Sequence, residues 1–222
     1  MITQVKKWVT DHPVWFAILF FIFYFTGFTL GHLVTEPVYL LHCRLDDLIP
    51  FNEWFIFPYA SWFGLIPWAL ITLLLFDRKN YFYLCGVMFS GMALCLLLYL
   101  IFPNGVDLRP QSIESSNLAA TFVRMIWMTD TSTNVCPSIH VASTFAIFLA
   151  VQRSRIWKHR KLVVGICGVL TVMICLSTLF LKQHSVIDVV CGIALSTALH
   201  FVFRRTGERE KAVLCRLGEN EG

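Results

Sequence analysis

Apolar residues in this chain come in long blocks separated by short polar connections, and the blocks predict the architecture. Residues 14–34 form the first block, which holds no Asp, Glu, Lys or Arg and is long enough to cross a bilayer. It follows Lys6, Lys7 and the break at Asp11-His12-Pro13. It lacks a small-x-small cleavage pattern and is longer than a signal-peptide core, so it predicts a retained anchor. Residues 59–76 and 81–102 predict a second and third span, joined by the polar turn Asp77-Arg78-Lys79-Asn80. Residues 138–151 begin a fourth and shorter one, 162–181 a fifth and 184–203 a sixth. A polar tail from Arg204 to Gly222 is expected to be solvated and partly disordered.

Two stretches depart from this plain alternation. Residues 36–58 mix Arg44, Asp46, Asp47 and Glu53 with Trp54, Phe55 and Phe57, the pattern of an interfacial re-entrant segment or aromatic belt. Polarity also rises between Pro103 and Pro137. Here Ser116-Asn117 is placed to cap a short helix whose Leu118, Phe122, Met125 and Ile126 recur at helical spacing. That helix is expected to lie on the membrane surface rather than to act as a substrate lid. The pattern as a whole predicts an all-α polytopic membrane protein. It would be one domain over residues 1–222, with a bundle of six transmembrane helices, a core over 59–203 and short interfacial helices.

Composition agrees: 57% of the residues are hydrophobic and 14% charged, more apolar than a soluble domain of this size requires. The net charge of +4 does not point to nucleic acid, because the basic residues lie in short clusters between apolar blocks. Fourteen Lys and Arg fall in the amino terminus, the 77–80 turn, the 153–161 loop and the tail. The alternate connections hold four: Arg44, Arg109, Arg124 and Lys182. Both termini are therefore expected on the cytoplasmic side. The ends of spans three, four and six near Arg109, His140 and His184 are then all expected on the external face. Of eight cysteines, Cys85, Cys95, Cys167, Cys175 and Cys191 lie within apolar runs as small hydrophobes, and there is no C-x-x-C metal spacing. Cys43 and Cys136 share the predicted external face, which leaves a disulfide between them open.

The chemistry concentrates in three places: Arg109-Pro110, Pro137-Ser138-Ile139-His140, and His184 with Asp188. If the chain is helical from about residue 184, His184 and Asp188 sit one turn apart on one face. Ionisable groups are costly in hydrocarbon, and those retained there mark pathways or reaction sites. A carboxylate that takes the Nδ1 proton fixes the imidazole tautomer and leaves Nε2 basic. A guanidinium fork and the free N–H groups of a helix start suit a phosphate dianion. Two histidines allow an in-line displacement in which one attacks phosphorus and the other protonates the leaving oxygen, with no metal or organic cofactor required. Each piece also has an ordinary use: Arg109 as an interfacial cation, Ser138 as a helix cap, His184 and Asp188 as a capping pair.

Pro137-Ser-Ile-His140 and Ser177-Thr-Leu-Phe-Leu-Lys-Gln-His184-Ser-Val-Ile-Asp188 resemble the second and third signature motifs of the type-2 phosphatidic acid phosphatase superfamily, which also includes vanadium haloperoxidases. The first motif of that family, Lys, six residues, Arg-Pro, is matched at Arg109-Pro110, with Phe102 at the Lys position. Thr178 stands where the third motif has Arg. The resemblance covers residues 102–192 and implies a six-span core. By position it implies His184 as the nucleophile of a phosphohistidine, Asp188 as its orienting carboxylate and His140 as the acid on the leaving alcohol. Arg109 and Ser138 would be phosphate ligands. Lys182 is the candidate to replace the missing cations, with snorkelling to the interface as its other use. The implied activity is metal-independent hydrolysis of a membrane lipid phosphate monoester or diphosphate at the external leaflet. The short chain resembles bacterial members, which implies a multi-pass protein of the bacterial plasma membrane. Weakened first and third motifs, and the segment Leu48 to Tyr59, also resemble sphingomyelin and inositol-phosphorylceramide synthases. Transfer of a phosphorylated headgroup to an alcohol is therefore the alternative.

Overall fold

Each long apolar block is a helix in the computed structural model, which describes residues 2–34 and 37–218. Helices α1 (Ile2–Asp11) and α2 (Pro13–Val34) are followed by a two-residue strand β1 (Tyr39–Leu40) and a short α3 (Arg44–Leu48). A 3₁₀ turn (Glu53–Phe55) leads into α4 (Ile56–Phe76), and α5 (Arg78–Ile101) follows after a single linking residue. Strand β2 (Asn104–Gly105) pairs with β1 in parallel. Then come α6 (Leu118–Thr129), α7 (Ile139–Arg153), α8 (Arg160–Phe180) and α9 (Val186–Gly218). Among the described residues the protein is all-α apart from that one small strand pair. A helix satisfies its own backbone hydrogen bonds, which is why apolar blocks of this length take no other form in lipid.

Among the described residues five helices are long and apolar enough to cross a membrane: α2, α4, α5, α8 and α9 as far as Arg205. The pattern predicts six. The missing one is α7, apolar but only 15 residues long, or about 22 Å. It runs through the middle of the bundle against α5, α8 and α9. Its Val141, Ala142, Ala146, Ile147, Ala150 and Val151 are buried, and the alanines let neighbouring backbones come close.

Polar contacts gather the connections at the two ends of the bundle. At one end Asp77, the single residue between α4 and α5, accepts hydrogen bonds from the Asn80 backbone and side chain and from the Ser154 hydroxyl (2.7 Å). This cap lets α5 begin at Arg78, so the predicted 77–80 turn is mostly helix. Arg78 donates to the Thr10 carbonyl and Tyr81 to that of Pro13, tying α1 to the same end. Helix α1 is absent from the sequence reading, because its apolar positions are too few to announce a span. The loops 103–117, 130–138 and 181–185 lie at the opposite end.

Several expectations change. The last helix starts at Val186 rather than His184, because the chain first turns at Lys182, whose φ is +56°. Helix α9 also continues through Gly218, well into the residues expected to form a loose tail. Cys43 and Cys136 are both free thiols, so the disulfide left open by the sequence is not formed. In α6 the side chain of Asn117 caps the helix as expected, accepting from the Ala120 N–H. The face it buries is Ala119, Ala120 and Val123, whereas Leu118, Phe122 and Met125 point outward. The small residues dock and the large ones remain for the apolar surroundings.

Candidate active site

Helix α7 owes its starting point to a buried asparagine. The Asn104 side chain donates to the carbonyls of Phe102 and Cys136, and its oxygen accepts from the N–H groups of Val135 and Cys136. That uses its full hydrogen-bonding capacity on the segment just before the cis Cys136-Pro137 bond. Tyr99 adds a hydrogen bond to the Pro137 carbonyl (2.7 Å). Ser138 then caps α7, its hydroxyl accepting from the Val141 N–H, and His140 follows in the first turn. The His140 ring lies 4.7 Å from that of Tyr59 and 4.4 Å from that of Trp62, between ring centroids. Trp62 is itself anchored to the Ser143 hydroxyl (2.8 Å). Two aromatic side chains of α4 therefore set the orientation of the α7 imidazole.

His184 belongs to the loop between α8 and α9. Its backbone N–H and that of Gln183 both donate to the Thr178 carbonyl. Its Nδ1 lies 3.3 Å from Asp188 Oδ2, and the same oxygen accepts from the Ser185 N–H (2.9 Å). Asp188, fully buried, thus holds the His184 ring and caps α9 at once. The contact forms without a shared helical face, since only Asp188 is helical. Asp188 also accepts from the Ser138 N–H through its own carbonyl, joining the two motifs. Gly192 makes that approach feasible: a Cβ there would stand 2.9 Å from the Ser138 carbonyl oxygen and 3.1 Å from Val141 Cβ. The two imidazole centroids are 5.8 Å apart, roughly edge to face.

A third segment, remote in sequence, holds the His184 loop in place. Asp46 of α3 is buried; its carboxylate accepts from the Val186 N–H (2.8 Å), the Ser185 hydroxyl (2.7 Å) and the Cys43 N–H (2.8 Å). Its carbonyl accepts from the Lys182 amine (2.7 Å). Burial alone would raise the Asp46 carboxyl, but the donors from Val186, Ser185 and Cys43 outweigh it and hold the group below its ordinary value.

Both imidazoles open into a cavity of about 210 Å³, whose walls also include Asp130, Gln183, Tyr59 and Trp62. Asp130 accepts from the Tyr59 hydroxyl (2.5 Å) and from the Gln183 amide (3.4 Å). Arg109 lies one layer behind this wall. Its guanidinium donates to the carbonyls of Trp127 and Asp130 and to the side-chain oxygen of Gln183, and it stacks over the Trp127 ring. Burial holds its pKa below the ordinary arginine value, and the nearby Asp130 carboxylate offsets only part of that.

The candidates read from the sequence therefore separate into two groups. His140 and His184 share the cavity, with Asp188 behind His184. Arg109, Ser138 and Lys182 are not among the residues lining it; their polar groups bond to the second layer, to the start of α7 and to the α3 carbonyl. The two positions that depart from the family pattern supply no cation. Phe102 stacks on Tyr39, and the Thr178 hydroxyl bonds back to the Cys175 carbonyl. Among the described residues no three His, Cys, Asp or Glu side chains gather as a metal-ligand set.

The sequence reading assigns no role to Asp46, Asn104, Tyr59, Trp62, Asp130 or Gln183. Asp46 carries no local signal that separates it from Asp47, which is exposed and contacts His42. Gln183 adjoins His184 and was the easiest of them to suspect.

No curated protein matches the chain. The family model described as the PAP2 superfamily matches residues 80–211, a stretch that includes Arg109, Pro137 to His140 and Ser177 to Asp188. Since that is more than half of its length, the chain belongs to the PAP2 superfamily.

Proposed function

We propose that this protein is a membrane-embedded phosphatase that hydrolyses a lipid phosphate monoester or diphosphate through a phosphohistidine, at the external leaflet. Membership of a superfamily of phosphatases acting on phosphate esters supports the reaction type. The single observation that carries the mechanism is the pair of imidazoles, 5.8 Å apart in one cavity, one of them held at Nδ1 by a buried carboxylate. Asp188 keeps the His184 proton on Nδ1, so Nε2 presents its lone pair to phosphorus. His140 donates a proton to the departing oxygen as the P–O bond breaks. In the second half it takes a proton from water, whose oxygen attacks phosphorus and releases His184. The donors that stabilise the phosphoryl oxygens would come from the Gln183 amide, which Arg109 holds through its side-chain oxygen, and from the N–H groups at the start of α7.

In this reading α7 is the sixth crossing, both termini are cytoplasmic and the cavity opens outward. The cavity is smaller than the about 300–1,000 Å³ typical of pockets that enclose a drug-sized ligand, so it takes a headgroup and leaves the tails outside it. Purified protein should release inorganic phosphate from lipid phosphates in EDTA, and His184→Ala and His140→Ala should each reduce the rate by about 10² to 10⁴-fold. Wild-type rates in both variants would remove the mechanism.

One observation favours a second reading, transfer of a phosphorylated headgroup to an alcohol. The usual cations are absent at Phe102 and Thr178, and Asp130 places a carboxylate on the cavity wall. A phosphodiester carries less charge than a monoester dianion and needs less cationic help. Following a labelled headgroup with alcohol acceptors present distinguishes the two, because transfer makes a new lipid where hydrolysis frees phosphate.

A further inference from the structure

The cavity that holds the imidazoles is walled in part by Tyr24, Phe25 and Phe28 of α2 and by Tyr59, Trp62 and Phe63 of α4. A second cavity, of about 610 Å³, also lies between α2 and α4, and Phe25 belongs to the walls of both. It runs between Ala17, Phe21 and Phe25 on α2 and Pro67, Ile71 and Leu74 on α4. Its α2 wall extends from Phe25 back to Val14, eleven residues or about 16 Å along the helix axis, towards the opposite end of the bundle. No charged side chain lines it. Ala17 is the smallest side chain on the α2 wall, and Pro67 has no backbone N–H to hold α4 straight against it. Helix α2 is held instead from its other side, where Phe20 stacks on Phe89 of α5 at 4.0 Å. Ile18, Ile22, Phe25 and Ile71 are left exposed.

We propose that this cleft is the binding site for one hydrocarbon chain of the substrate lipid, whose phosphate lies between His140 and His184. The inference rests on the lipid phosphate reading above and deepens it. A headgroup cavity of about 210 Å³ cannot hold a lipid, so the chain must leave it, and the cavity that shares Phe25 with it is apolar and parallel to the bundle axis. A recess on the α5 side of α2, reached past Phe28, is only about 200 Å³ and runs beside a shorter stretch of α2, Phe23 to Gly31. A chain in the α2–α4 cleft makes the protein select for chain length and shape, which a bilayer lipid resting on the outer surface would not.

The test compares two probes in mixed micelles: dipalmitoyl phosphatidate, and p-nitrophenyl phosphate, which has no chain. For each variant the readout is the ratio of kcat/KM on the first probe to that on the second, so any loss of folded protein cancels. Ala17→Trp and Ile71→Trp fill the cleft and should lower the ratio by about 10 to 200-fold, the range over which apolar pockets discriminate by size. Leu19→Trp, exposed on α2 outside the cleft, should leave the ratio unchanged. An unchanged ratio in both cleft variants overturns the proposal, as does an equal fall in Leu19→Trp. A fall in Leu97→Trp, in the α5-side recess, without one in Ala17→Trp also overturns it. A wild type that hydrolyses neither probe would instead bring down the phosphatase reading itself.

Discussion

Replacing Asp46 by alanine tests how far the His184 loop depends on a residue outside the matched motifs. Three donors converge on that carboxylate, and two of them, the Ser185 hydroxyl and the Val186 N–H, belong to the residues directly after His184. Removing the acceptor leaves these groups without a partner, at about 1–3 kcal/mol for each buried donor, against which stands the relief of no longer burying a charge. A net local cost of about 3 kcal/mol is expected, enough to loosen the start of α9 and let the His184 ring drift from its position against Asp188. A misplacement of about 1 Å can cost on the order of 10²-fold in rate, so kcat should fall by that order while KM changes little. Asp46→Asn, which keeps one acceptor oxygen, should fall between. The assay is phosphate release by purified protein, with thermal unfolding measured in parallel. The pH dependence gives a second check. A carboxyl held low in the folded protein stabilises it above the unfolded pKa of 3.8, and that contribution is lost as pH falls through the lower folded value. Wild-type protein should lose this stability below about pH 4, and Asp46→Ala should lack that component. A variant with wild-type kcat and an unaltered acid unfolding profile would refute the assignment.

Three further substitutions probe the frame around the cavity. Gly192→Ala puts a Cβ 2.9 Å from the Ser138 carbonyl oxygen and should cost about 1–3 kcal/mol in stability through overpacking, read as a lowered unfolding temperature; a neutral change would mean that α9 moves freely against α7. Asn104→Ala leaves the N–H groups of Val135 and Cys136 without their acceptor and should cost about 2–4 kcal/mol, with phosphate release falling as the start of α7 loosens. Lys182→Ala should lower stability by about 1–3 kcal/mol and leave KM unchanged, because the amine bonds to the Asp46 carbonyl; a several-fold rise in KM would return it to the phosphate.

Much of the site was legible because its chemistry is local. The pairing of His184 with Asp188 follows from four-residue spacing, and it persists although the helix begins two residues later than predicted. Ser138 and His140 could be assigned together because a cap and the first turn behind it are adjacent in sequence. Arg109, Lys182 and Asp46 were not legible in the same way. Where a long cation points, or which of two neighbouring aspartates is buried, depends on contacts with chain more than 70 residues away.

The sequence by itself determined that the chain is helical, embedded in lipid, and equipped with two histidines and an aspartate suited to phosphoryl chemistry. Hydrophobic block length and short motifs carry that information without reference to anything distant. Only the tertiary structure decided that Tyr59 and Trp62 hold His140, that Asp46 anchors the His184 loop, and that Arg109 sits behind Gln183 and Asp130. It also decided that an apolar cavity between α2 and α4 shares Phe25 with the cavity of the imidazoles. The physical reason is that an apolar block specifies which residues avoid water but leaves rotation about the helix axis open. Which face meets which neighbour is set by packing, by the room that Gly192 leaves for α7, and by buried polar groups that must find partners wherever the chain brings them.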